Sequence, residues 1–121
     1  MNDVANLCHK EGVRLDATRL AALHRRSAHS DRQRALEALI RDLQGWLDST
    51  ATAAREHDLR SIRHGSACLA ATARRLGLTS VARVATDLEC CARRRDAVAM
   101  AAVHARLQRL AARSIHAVDP Q

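Results

Sequence analysis

Apolar residues recur three or four positions apart through the middle of the chain, and this spacing constrains the fold more than any other feature. The longest run comprises Leu36, Leu39, Ile40, Leu43, Trp46, Leu47, Thr50 and Ala54. Such spacing places one apolar stripe along a helix. The chain also holds 25 Ala and 15 Leu but no Phe or Tyr, and helices favour Ala and Leu whereas strands favour aromatic and β-branched residues. The sequence therefore predicts an all-α fold.

Capping residues divide the chain into five predicted helices. The predicted N-caps are Asp16, Ser30, Asp58, Thr79 and Asp96. The first helix covers 16–26 and carries a hydrophobic staple, and Ser30 opens a capping box. Gly77 stands where the third helix needs a left-handed residue after its last turn.

Long helices joined by short loops favour antiparallel neighbours. We therefore expect an antiparallel four-helix bundle with a short extra N-terminal helix over one end. No linker or repeat divides the sequence, so we expect one helical domain over 1–121 with its core at about 13–115.

The formal net charge is +7, and 19 of the 20 basic residues are Arg. This excess suggests an acidic partner surface. The scarcity of aromatic residues argues against binding of single-stranded nucleic acid by base stacking. No apolar run reaches the length of a membrane span, and the first residues do not resemble a signal peptide. These features predict a cytoplasmic protein. The four Cys lack the spacing of a metal or disulfide framework, so free thiols are expected.

The third predicted helix has an exposed face with small residues at its centre. Its apolar stripe fixes the inner side, and the helical rotation then places Ala67 and Ala71 on the outer side. Basic residues surround these two alanines, and we predict that a partner docks there. The residues predicted to bind the partner are Arg60, Arg63, His64, Ala67, Ala70, Ala71, Arg74 and Arg75.

The segment 67–77 resembles the phosphoacceptor motif of histidine phosphotransfer (HPt) domains. The points of similarity are Leu69, Thr72, Ala73 and the Leu76-Gly77 pair, with Asp58, Leu88-Glu89, Arg93-Arg94-Arg95-Asp96 and Leu15-Asp16 in matching surroundings. The resemblance implies a helical bundle that binds the acidic face of a receiver domain, or a histidine kinase, in a two-component phosphorelay.

This sequence differs from the HPt motif at the residues that carry the motif's chemistry. Ala67 stands at the phosphoacceptor position, and Ala70 and Ala71 replace the Lys and Gly of the family motif. Alanine has no nucleophile, so the expected protein is a degenerate HPt-like adaptor that docks without carrying phosphate at position 67. Two alternatives keep phosphotransfer: His64, one turn earlier, acts as a surrogate acceptor, or Ala67 is an engineered replacement of a histidine.

A helix-turn-helix DNA-binding regulator is the main alternative from another class, because 72–79 is similar to the turn of that motif. Its second helix would bury Arg83 and Thr86, which are both polar, so specific nucleic-acid binding is not expected. There is no phosphate loop, nucleophile elbow or metal-ligand spacing. We therefore expect no enzymatic activity, no cofactor, no bound metal and no membrane association.

Overall fold

The computed structural model describes residues 17–118, and every element in this part of the chain is helical. The four helices are α1, Ala17–Arg55; α2, Leu59–Arg75; α3, Thr79–Arg93; and α4, Ala97–Val118. The predicted all-α class is thus confirmed. None of these helices is long and apolar enough to cross a membrane.

Helix α1 is one uninterrupted element of 39 residues. The predictions of a separate short helix over 16–26 and of a helix start at Ser30 are therefore wrong, while Leu15 and Asp16 lie outside the described residues. No Gly or Pro interrupts 27–33, and Ser or Asp inside a helix costs less than about 1 kcal/mol each. Arg34 also pairs with Asp31 at 2.9 Å across one turn.

The three connections between helices share one geometry. In each, the middle residue has a positive φ: 54° at His57, 76° at Gly77 and 57° at Arg95. Each middle amide and the amide after it donate to carbonyls of the preceding helix, as when Leu78 N–H bonds to Ala73 O at 2.8 Å. This is a Schellman ending, and it confirms the role predicted for Gly77.

The next helix begins directly after each of these endings. Asp58 and Asp96 act as N-caps, because their carboxylates accept from the amides of Ser61 and Ala99. The N-cap of α3 is Leu78, with no side-chain cap bond, and Thr79 is already helical. The prediction of Thr79 as N-cap is wrong by one residue. Leu78 instead packs against the core, which is the usual hydrophobic contact of a Schellman ending.

By its contacts the chain divides into two units, Met1–Glu37 and Ala38–Gln121. In the first unit the described residues, 17–37, belong to α1 and none of their side chains is buried. Leu20, Leu23 and Leu36 are half-buried there.

The second unit holds the hydrophobic core, to which all four helices contribute. Each supplies one leucine that is almost completely buried: Leu43, Leu69, Leu88 and Leu107. Alanines and valines surround these leucines, chiefly Ala53, Ala73, Val81, Val84, Ala85, Ala92 and Ala111. Trp46, a member of the predicted apolar stripe, is half-buried against the core.

Helices α1 and α2 approach each other closely where Gly65 faces Thr50. Both residues are buried, and a Cβ atom added to Gly65 would overlap Thr50 Oγ1. Among the described residues, Thr50 Oγ1 is the buried side-chain oxygen that lacks a hydrogen-bond partner. Glycine is therefore required at 65 by the space between the helices, whereas Gly45, on α1, has no neighbouring atom that a Cβ would meet.

The two glycines predict opposite effects of the same substitution. Gly65→Ala should lower the free energy of unfolding by about 1–3 kcal/mol through overpacking. Gly45→Ala, the matched control, should raise it by about 0.5–1 kcal/mol because alanine favours helix. Denaturant unfolding followed by circular dichroism measures both.

A double variant tests the contact itself. Adding Thr50→Ala to Gly65→Ala should recover part of the lost stability, with a coupling of at least about 0.5 kcal/mol. Strictly additive effects of the two substitutions would contradict the close approach.

Candidate functional site

The start of α2 is fixed by Asp58, whose backbone is extended and whose carboxylate caps the helix. One carboxylate oxygen accepts from the Ser61 amide at 3.2 Å and the other from the Ser61 hydroxyl at 2.6 Å. These hydrogen bonds favour the ionised carboxylate and lower the pKa of Asp58 below its usual value of 3.8. The cap therefore holds the first turn of α2 most firmly when Asp58 is charged.

The inner side of α2 is set by its buried residues. These are Ile62, Gly65, Ser66, Leu69, Ala70, Thr72 and Ala73. The one hydroxyl at the centre of this side, on Ser66, donates to Ile62 O at 2.6 Å, so it is buried without an unmet hydrogen bond. Because this side packs against the core, the orientation of α2 about its own axis is fixed.

The opposite side forms a surface that we call the outer face of α2. It consists of Arg60, Arg63, His64, Ala67, Ala71, Arg74 and Arg75, and all seven are exposed. The exposure predicted from the helical rotation is confirmed for these residues. The prediction that Ala70 belongs to this face is wrong, because Ala70 is only 3% exposed. The rotation of about 100° between successive residues turns Ala70 toward the core, whereas Ala71 points away from it.

The outer face is basic without compensation from its own helix, since α2 contains four Arg and no acidic residue. Arg74 is tied to the neighbouring helix by a 3.2 Å hydrogen bond to Thr86 Oγ1 on α3. Ala67 and Ala71 leave a shallow centre between these long side chains. A surface of this kind can admit a close-fitting acidic partner and attract it electrostatically.

His64 is held on the side of the outer face that borders α1. Its ring contacts Trp46 edge-on, with 5.5 Å between centroids and an interplanar angle of 78°. Its Nε2 atom lies 3.7 Å from Cys68 Sγ on the next turn. The imidazole is thus exposed but has neighbours on two sides, which restricts the directions from which Nε2 can be approached.

A groove of about 590 Å³ lies beside the outer face, between α1 and α2. Trp46 and Gly65 line its less exposed part, and the exposed residues Arg60 and His64 line its edge. The apolar spacing assigns Trp46 to the stripe of α1 but does not predict its contact with His64. The available signal was weak: a lone tryptophan on a stripe predicts core packing, and nothing local specifies which helix it meets.

Other predicted chemistry can be compared with the same structure. The helix-turn-helix interpretation needs Arg83 buried, yet Arg83 is exposed and Thr86 is only half-buried, while Val81, Val84 and Leu88 face the core. Within 17–118, no three His, Cys, Asp or Glu side chains come together as metal ligands would. Cys68, Cys90 and Cys91 are free thiols, and Cys8 lies outside the described residues.

The chain matches no family model, no curated protein and no solved structure.

The Asp58 cap predicts a pH dependence. Because the pKa of Asp58 is lower in the folded protein than in the unfolded chain, its stabilising effect is complete at neutral pH. It should be lost as the pH falls below about 4 and through the folded-state pKa. Asp58→Asn keeps a capping oxygen that does not ionise, so its melting temperature should approach that of the wild type at low pH.

Thermal melts of both proteins between pH 2 and 7 measure this difference. A gap in melting temperature that stays constant across the whole range would show that ionisation of Asp58 contributes nothing.

Proposed function

We propose that this protein is an HPt-like signalling adaptor. It docks a response-regulator receiver domain or a histidine kinase through the outer face of α2 and modulates a phosphorelay without carrying phosphate at position 67. The proposal takes the four helices as an antiparallel bundle. The observation that carries it is the outer face itself: two exposed alanines at its centre, exposed arginines around them and no acidic residue in the helix.

Each group of residues on the outer face has a distinct role in docking. The phosphorylation face of a receiver domain is acidic, so the arginines supply complementary charge and accelerate association. The small side chains at Ala67 and Ala71 allow the partner's surface to approach the helix closely. Ala67 offers no nitrogen or oxygen to a phosphoryl group, so the bound partner is blocked or held rather than discharged.

The position and contacts of His64 favour a role in docking over a role as phosphoacceptor. It lies one turn from position 67, about 4.5 Å along the axis, and in-line transfer tolerates little displacement of the nucleophile. Its ring also rests against Trp46, with Cys68 beside Nε2. A partner shaped for an acceptor at 67 would have to shift along the helix to use it.

Substitutions on the outer face should separate shape from charge. Ala71→Trp should weaken binding of a cognate receiver or kinase by about tenfold or more, because a large central side chain separates the two surfaces. Arg63→Ala removes one solvated charge and should cost only about 0.2–1 kcal/mol, less at high salt. Arg63 is a better probe than Arg74, whose loss would also remove the bond to Thr86.

Binding titrations at two ionic strengths measure both variants against receivers and kinases of the source organism. Circular dichroism provides the folding control, since residue 71 is exposed. Unchanged affinity of Ala71→Trp would show that the outer face of α2 is not the interface.

A gain-of-function variant tests the alignment with the HPt motif. Ala67→His places an imidazole at the centre of the outer face, where Arg63 and Arg74 on the same helix can neutralise transferred charge. This variant should acquire acid-labile phosphate from a cognate phosphorylated receiver, whereas the wild type and Ala67→Gln should stay unlabelled. Labelling of the wild type that disappears in His64→Gln would instead establish His64 as the acceptor.

A further inference from the structure

A cavity of about 640 Å³ lies among α1, α2, α3 and α4, away from the outer face of α2. We call it the lateral cavity. Only Leu59 and Ile62 of α2 line it, and neither belongs to the outer face. Its volume falls in the range of sites that hold small organic ligands.

The floor of the lateral cavity is buried and its rim is exposed. Ile62, Leu88 and Thr50 form the buried part, whereas Arg55, Arg95 and Gln108 are exposed at the edge. Five alanines of α1 and α4 line the cavity: Ala51, Ala54, Ala97, Ala101 and Ala105. Apart from Thr50, the buried part of the cavity is apolar, and its rim is open to solvent.

The polar groups of the wall have one sign of charge. Arg55, His57, Arg95 and His104 line the cavity, and its wall contains no Asp or Glu. Three acids adjoin these basic residues in sequence, and none is part of the wall. Glu56 and Asp58 line the groove between α1 and α2 instead, and Asp96 accepts from the Ala99 amide at 3.1 Å. Burial lowers the pKa of His104 below its usual value of 6.5, so at neutral pH the arginines supply the positive charge.

Two of these basic residues occupy backbone positions that favour glycine. His57 and Arg95 are the left-handed residues of their Schellman endings, where Gly77 serves the third connection. Glycine adopts this conformation without the steric penalty of a side chain. Replacing Arg95 by glycine thus removes a cation from the rim without harming the fold.

We propose that the lateral cavity binds an amphiphilic carboxylate, a medium-chain fatty acid in chemical terms. The alkyl chain lies on the apolar floor, and the carboxylate is held at the rim by Arg55 and Arg95. Binding is non-covalent and does not depend on the function proposed for the outer face of α2. Charge selects the ligand class, because a neutral amphiphile offers these arginines no ion pair and a cationic amphiphile is repelled by them.

Titrations of the full chain with ligands below their micelle-forming concentrations test the chemical class of the ligand. Decanoate should bind saturably, raise the melting temperature and shift amide signals of residues around Ala101 and Ala105 in heteronuclear NMR spectra. Affinity should rise by about fourfold for each added CH₂ from octanoate to decanoate. Decanol should bind about fivefold or more weakly, as expected for loss of one ion pair. Equal binding of decanol and decanoate, or binding of decyltrimethylammonium, would overturn the proposal.

Matched variants test the location. Ala105→Phe fills the lateral cavity and should abolish decanoate binding, whereas Ala102→Phe adds the same side chain to an exposed position outside the wall and should not. Arg95→Gly should lower affinity about fivefold while keeping or raising thermal stability, and Arg94→Ala, one residue outside the wall, should leave affinity unchanged. Full decanoate binding by Ala105→Phe, or equal losses in Arg95→Gly and Arg94→Ala, would refute the assigned site.

Discussion

The structure depends on a core built from one leucine of each helix. Leu43, Leu69, Leu88 and Leu107 are buried to within 1% of completely, and most of the other buried residues of the core are alanines. A core without Phe or Tyr has little volume to contribute, so the helices must approach closely to exclude water. That requirement explains why Gly65 faces Thr50, where even a methyl group would not fit.

The same scarcity of large side chains accounts for both proposed surfaces. On α2 it leaves Ala67 and Ala71 exposed between arginines, so a partner can reach the helix backbone. Between α1 and α4 it leaves the lateral cavity, because alanines line a gap that larger residues would fill. In both places arginine provides the charge, and an acidic or anionic partner is the common expectation.

Much of the candidate site follows from sequence because a helix has a fixed rotation per residue. The stripe that contains Ile62, Leu69 and Ala73 sets the inner side of α2, and the exposure of Ala67 and Ala71 follows. Ala70 shows where this reasoning loses accuracy: it lies near the boundary of the two sides. Its burial depends on how closely neighbouring helices pack, which no local pattern states.

The sequence by itself determined the all-α class, the N-caps at Asp58 and Asp96, the left-handed turn at Gly77 and the outer face of α2, since each depends on residues within a few turns of one another. Sequence reasoning did not settle the continuity of α1 through Ser30, and only the tertiary structure decided the contact of Trp46 with His64, the meeting of Gly65 with Thr50 and the lateral cavity. A capping sequence competes with helix continuation at an energy difference of about 1 kcal/mol, so local pattern cannot choose between them. The two contacts and the lateral cavity bring together residues of separate helices, and the distances between those residues are set by how the whole core packs.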